Sequence, residues 1–192
     1  MVDDATIVLQ IAPATSAGTI LDQDFEVLLD GRPIEVQTIE AEHGGRIDVV
    51  RCSPGELAIR LESTIDRSTA AATTPSGALD VEQLTYLRQS RYCPSDTLSD
   101  FANRELDRQH PSRELLTVVA DWVRDHLTYE EGASGPLDSA IDSLDAGRGV
   151  CRDFAHVAIT MLRALDVPSR LVAVYAPGLT PMDFHAVVEA HV

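Results

Sequence analysis

Residues 147–165 read GRGVCRDFAHVAITMLRAL. Two glycines lead into a run whose apolar residues recur at three-to-four spacing, which predicts an amphipathic helix with Cys151 in its first turn. The first amides of a helix have no partners within it and form the positive end of its dipole, so a thiol there is expected to ionise more readily than a free cysteine. Gly147 and Gly149 are expected to let the chain turn sharply and to let a substrate backbone come close. A free cysteine is ordinarily an inert core residue, but its place at a helix start after GRGV points to a nucleophile.

A nucleophilic thiol needs a base, and that base can come from anywhere along the chain. Of the six histidines, His156 lies five residues after Cys151 on the same predicted helix, about 140° around the axis, and is expected to pack within the domain. His43 falls in a turn, His110 precedes Pro111 and His126 lies on an amphipathic helix; each reads as a surface or structural residue, while His191, on the last run, stays a minor candidate for the base. His185 is set differently. PSRLVAVYAPGL reads as a strand and loop, and PMDFHAVVEAHV as a loop running into a second strand that can pair beside the first, with His185 at its start.

Upstream, residues 5–63 show short β-rich runs, TIVLQIA, FEVLL, IEVQTIE, RIDVVRC and ELAIRLE, separated by hairpin signals at Asp30-Gly31, Gly44-Gly45 and Pro54-Gly55. In IEVQTIE, Ile34, Val36 and Thr38 share one face, and Glu35, Gln37 and Ile39 the other. These residues predict a small antiparallel β-domain over 1–66. RSTAAATTPSGALD follows, small and polar, and 67–80 reads as a linker. Residues 81–192 then form a second domain. Ser95 is expected to cap a helix through TLSDFANREL, and Ser112 one through ELLTVVADWVRDHL, whose Leu115, Leu116, Val119, Trp122, Val123 and Leu127 make a core stripe. A short helix is expected at DSAIDSLDAG.

Composition bounds the function. The chain of 192 residues is 44% hydrophobic, enough for a substantial core, and carries a net charge of −16, which repels nucleic-acid backbones and anionic membranes. It contains no apolar run of about 18 residues and begins with an acidic stretch, so it reads as soluble and cytoplasmic. Its three cysteines have no CxxC spacing, which suits a reducing compartment; no metal-ligand spacing and no cofactor motif is present. All 15 basic residues are arginine, so the chain holds no lysine that could accept a glutamine acyl group.

GVC opening a helix, DFAH after it, the strand LVAVYAPG and the histidine of DFHAVVEAHV together resemble the bacterial members of the transglutaminase-like superfamily. The likeness takes in residues 84–192, including SRYCPSD and the approach DSAIDSLDAGRGVC. It implies an α+β chain: a small antiparallel β-domain followed by a papain-like core of helices packed on an antiparallel sheet. It also implies Cys151 as nucleophile and His185 as general base, acting on peptide or protein amides through a thioester, with hydrolysis by a peptidase or amidase favoured over transglutamination. The family's third residue, an acid that orients the histidine, normally sits on the strand after the histidine strand, whereas this sequence ends at EAHV. The sequence therefore reads as truncated, with Asp183, Asp153 and Glu189 as weak substitutes that are more ordinarily solvated carboxylates. A free edge on the His185 strand is expected to favour a homodimer. The competing reading is a non-catalytic binding or assembly module that keeps the fold.

Overall fold

In the computed structural model, residues 4–70, 80–106, 112–180 and 183–192 are described, and the chain divides into two compact units, Met1–Thr74 and Pro75–Val192. Period-two alternation builds the first unit from strands β1 (Ala5–Leu9), β2 (Thr19–Leu29), β3 (Arg32–Pro33), β4 (Val36–Glu40), β5 (Arg46–Cys52) and β6 (Leu57–Asp66). They form two antiparallel three-stranded sheets, ordered β1-β5-β4 and β3-β2-β6. Val27 from one sheet and Val50 and Cys52 from the other are buried in one cluster with Ile7, Phe25, Val36 and Leu57 packed around them, so the unit is a small sandwich.

Asp30 and Gly31, both left-handed at φ 50° and 73°, make the two-residue turn between β2 and β3 that the sequence predicts. The Pro54-Gly55 turn corrects the sequence expectation. It joins β5 to β6, which lie in different sheets, and is therefore a crossover. The Asp30 carboxylate holds it by accepting from the Glu56 N–H at 2.9 Å. A side chain at Gly55 would collide with the same carboxylate, 2.7 Å from the position of its Cβ. The strand expected at FEVLL begins earlier, at Thr19, because its polar first half pairs with β6. Arg67–Thr69, assigned to the linker by composition, form a single turn of 3-10 helix. Thr69 Oγ1 accepts from the Thr19 N–H at 2.7 Å and ties that turn to the sandwich. The middle of the expected linker, 71–79, lies outside the described residues.

The second unit comprises α1 (Val81–Leu87), α2 (Ser99–Glu105), α3 (Ser112–His126), β7 (Thr128–Tyr129), α4 (Ala140–Ala146), β8 (Arg148–Gly149), α5 (Cys151–Ala164), β9 (Ser169–Tyr175) and β10 (Phe184–Ala190). Ser95 does not cap α2. The helix starts four residues later with Leu98 at its cap, because the Pro94 carbonyl takes the N–H groups of Thr97 and Leu98 and closes a separate turn. The cap expected from the Ser112 side chain, like His110, lies outside what is described.

Helix α5 is the centre of this unit. Val157, Met161 and Leu162 are buried against Leu115, Val119 and Val123 of α3, the predicted stripe. Trp122 is part of that packing: it meets the Phe101 edge at 5.8 Å and stacks on His126 at 3.9 Å. Strands β9 and β10 pair antiparallel, with His185 opposite Val174, and among the described residues β10 pairs with no other strand.

SRYCPSD packs on α5. Tyr92 stacks on the His156 ring at 5.2 Å, nearly parallel, and Arg163 donates to the Arg88 carbonyl at 2.8 Å. His156 is thus the packing residue the sequence suggests. Burial, aided by the Arg152 charge, pulls its pKa below the ordinary value of 6.5, against a weaker pull from Asp153. The folded protein therefore resists a proton that the unfolded chain accepts. The stability that comes from keeping His156 neutral is complete above about pH 6.5 and is lost as pH falls through its folded pKa. We expect the melting temperature of the native protein to begin dropping below that pH. In His156→Phe, which keeps the stacking on Tyr92, this step should flatten, as measured by thermal unfolding across pH 4–8.

Candidate active site

The approach to Cys151 is built by local signals. Ser139 caps α4, with the Asp142 carboxylate accepting from its backbone N–H at 2.7 Å, and Gly147 ends the helix in the left-handed conformation at φ 64°, the sharp turn expected of it. The next two residues form β8, which pairs parallel with β7 and sets Tyr129 opposite Gly149. Helix α5 begins immediately afterwards, with Cys151 as its first residue and Val150 at its cap.

Valine has no side-chain acceptor for a cap, and Asp153 supplies what is missing. Its Oδ2 accepts from the Val150 N–H at 2.8 Å and from the Ser134 hydroxyl. Its Oδ1 accepts from Arg152 Nη2 at 2.8 Å. Arg152 also donates to the Gly135 carbonyl at 2.9 Å, so the 134–135 loop is bound to the first turn of α5. Asp153 is fully buried. Burial alone would push its carboxyl up, but the hydrogen bonds from Ser134, Val150 and Arg152 and the Arg152 charge outweigh that and hold it below the ordinary carboxylate range. This corrects two sequence expectations. Asp153 is neither a solvated carboxylate nor free to orient His185, because both of its oxygens are committed to the helix start. Gly149 is required by packing, since a Cβ there would lie 2.6 Å from the Asp153 Cβ; room for a substrate is not what demands it.

Cys151 is half-buried, whereas Cys52 and Cys93 are buried. Cys151 and His185 line one cavity of about 280 Å³, whose walls include Tyr129, Phe154, Ala158 and Val187. His185 is the second residue of β10. The rings of Phe184 and Tyr175, paired across the strands at 5.4 Å, fix the strand end beside it. The remaining carboxylates have other partners: Glu189 is bound by Arg170 at 2.7 Å, and Asp183 Oδ1 accepts from the Phe184 N–H at 2.7 Å. His126 is bound to the Trp122 carbonyl at 2.7 Å, His191 lies 3.7 Å from Glu82, and His43 sits in the β4–β5 turn. Of the described histidines, only His185 lines the Cys151 cavity.

Residues 99–192 match the family model described as the transglutaminase-like superfamily. This part of the chain belongs to that superfamily. An uncharacterized protein of Mycobacterium leprae is 34% identical over 89 residues, 46% of this chain and 32% of its own length, so the chain covers about a third of that relative. The crystal structure of a candidate cysteine protease from Cytophaga hutchinsonii has a TM-score of 0.81 and 29% identity over 98% of this chain and 68% of its own. The periplasmic domain of TgpA from Pseudomonas aeruginosa has a TM-score of 0.46 and 17% identity over 97% of this chain and 64% of its own. The transglutaminase-like, papain-like α+β fold expected from the sequence is the fold of this chain. No helix among the described residues is long and apolar enough to cross a membrane.

Two parts of the site were not read from sequence. Tyr129 lies in a two-residue strand too short to give a periodic signal. The cap formed by Asp153 was legible as an acid three residues after the helix cap, a recognised start signal. Removing this carboxylate in Asp153→Ala leaves Arg152 and the Val150 and Ser134 donors without their acceptor. It should cost about 3 kcal/mol in urea unfolding, and it should slow iodoacetamide labelling of Cys151 under native conditions as the first turn of α5 frays.

Proposed function

We propose that this chain is a cysteine-dependent acyl-transfer enzyme acting on peptide or protein amides. The observation that carries the reading is that Cys151, at the head of α5, and His185, at the start of β10, open onto the same apolar cavity. The Cys151 sulfur attacks the amide carbonyl, the C–N bond breaks as His185 delivers a proton to the departing amine, and a thioester remains on the enzyme. Water drawn on by His185 then releases the acid. Hydrolysis is the favoured second step, and the description of the Cytophaga hutchinsonii neighbour as a candidate cysteine protease supports it.

One observation favours a second reading, a binding or assembly module. Among the described residues, Asp153 and Glu189 are engaged elsewhere and Asp183 Oδ1 accepts from its own strand. The enzyme reading predicts a covalent intermediate on Cys151. Intact-mass analysis after brief exposure to p-nitrophenyl acetate should show a single acetyl adduct. It should be absent in Cys151→Ala and form about 10²-fold more slowly in His185→Ala. A native protein that never acquires the adduct, and that cleaves no peptide p-nitroanilide, would leave the binding module as the function.

A further inference from the structure

We infer that the cavity at Cys151 is an acyl-group pocket: it selects amides whose carbonyl carries a large apolar group, of leucine or phenylalanine size, on the side that stays bonded to sulfur; this rests on the thioester reading above. When Cys151 attacks, a C–S bond forms, the C–N bond breaks and the protonated amine leaves. The group held next to the sulfur throughout is therefore the acyl group, and the lining of the cavity decides which acyl groups are held.

The cavity leads away from the Cys151 and His185 end along two elements at once. On α5, Phe154 and Ala155 lie one turn beyond Cys151 and Ala158 two turns beyond, about 10 Å along the helix axis. On β10, Ala186, Val187 and Val188 follow His185, and they cover about 10 Å of strand. Helix α3 closes the remaining side. Its Val123 and the Ala155 of α5 are buried and form the floor, whereas Tyr129 and Val187, 56% and 39% exposed, carry apolar surface out to the mouth.

The room comes from alanine. Ala120 on α3, Ala155 and Ala158 on α5 and Ala186 on β10 all face the cavity and all end at Cβ. The volume they leave is about 280 Å³, just under the range of about 300–1,000 Å³ that encloses a whole drug-sized molecule, so it suits one large side chain. Among the described residues that line it, none is Asp, Glu or Arg. A charged acyl group would lose its hydration there and find no counter-ion, whereas an apolar one gains with each methylene removed from water.

The p-nitrophenyl esters of acetic, butyric and hexanoic acid differ only in the group they present to this pocket. Formation of the Cys151 adduct by the native protein, followed by intact mass and taken relative to each ester's reaction with free cysteine, should quicken about fourfold per added methylene. Mono-p-nitrophenyl adipate matches hexanoate in length but ends in a carboxylate, and it should forfeit that gain. Ala158→Leu fills the far end of the pocket and should lower the hexanoate-to-acetate ratio about tenfold. Ala120→Leu narrows the pocket from an exposed position on α3, where the fold tolerates a larger residue, and should lower the same ratio. A wild-type series that stays flat while acetate still acylates Cys151, an adipate as fast as hexanoate, or a ratio unmoved in both variants would overturn the pocket and leave the thioester reading standing. If no ester gives an adduct that Cys151→Ala abolishes, the thioester reading itself fails and the pocket falls with it.

Discussion

The site depends on one buried carboxylate. Asp153, with no exposed surface, receives the Val150 N–H, the Ser134 hydroxyl and the Arg152 guanidinium. A buried charge without such partners would cost several kcal/mol. Here the partners are the groups whose positions define the head of α5, so satisfying the charge and placing Cys151 are the same event. Gly149 follows from this, because the Asp153 side chain occupies the space a Cβ would need. So does the 134–135 loop, which Arg152 binds to the helix. The motif GRGVCRD is therefore a folding unit whose product is a half-buried first-turn thiol.

The remainder of the second unit keeps that helix from moving. Its apolar face is buried on α3. Its polar interior residues are covered on another side by the SRYCPSD segment, where Tyr92 stacks on His156 and Thr160 returns its hydroxyl to the His156 carbonyl at 2.7 Å. At its far end, Arg163 donates to the Ser169 carbonyl at the start of β9. That bond fixes where the sheet begins, and the antiparallel register then carries the position along β9 and back through β10 to His185. Cys151 and His185 are thus set by opposite ends of one helix.

How much of this was legible varied with the physics behind each element. The strands of the sandwich, the α3 stripe and the amphipathic α5 announce themselves by period, and Cys151 and His185 by position at element starts. What escaped were features decided by tertiary pairing. Thr19–Asp24 has little apolar alternation and is a strand because β6 lies beside it. Pro54-Gly55 has hairpin chemistry, but sheet assignment, which no turn dipeptide encodes, makes it a crossover. Ser95 has the chemistry of a cap, yet the preceding Pro94 carbonyl closes a turn first. Asp153 was weighed as an aid to the histidine because its nearness in sequence to Cys151 was visible and its burial was not.

On the thioester reading, the arrangement divides its electrostatics between two ends of a short path. Below the thiol, Asp153 and Arg152 neutralise each other and present the nucleophile with a hydrogen-bonded but nearly uncharged support. Above it, the walls of the cavity are largely apolar, with Phe154, Ala158 and Val187 among them. An apolar lining strengthens the electrostatic interactions made against it. The three carboxylates weighed beside the histidine have other partners: Asp153 at the helix start, Glu189 on Arg170, and Asp183 on the backbone of the strand that carries the histidine.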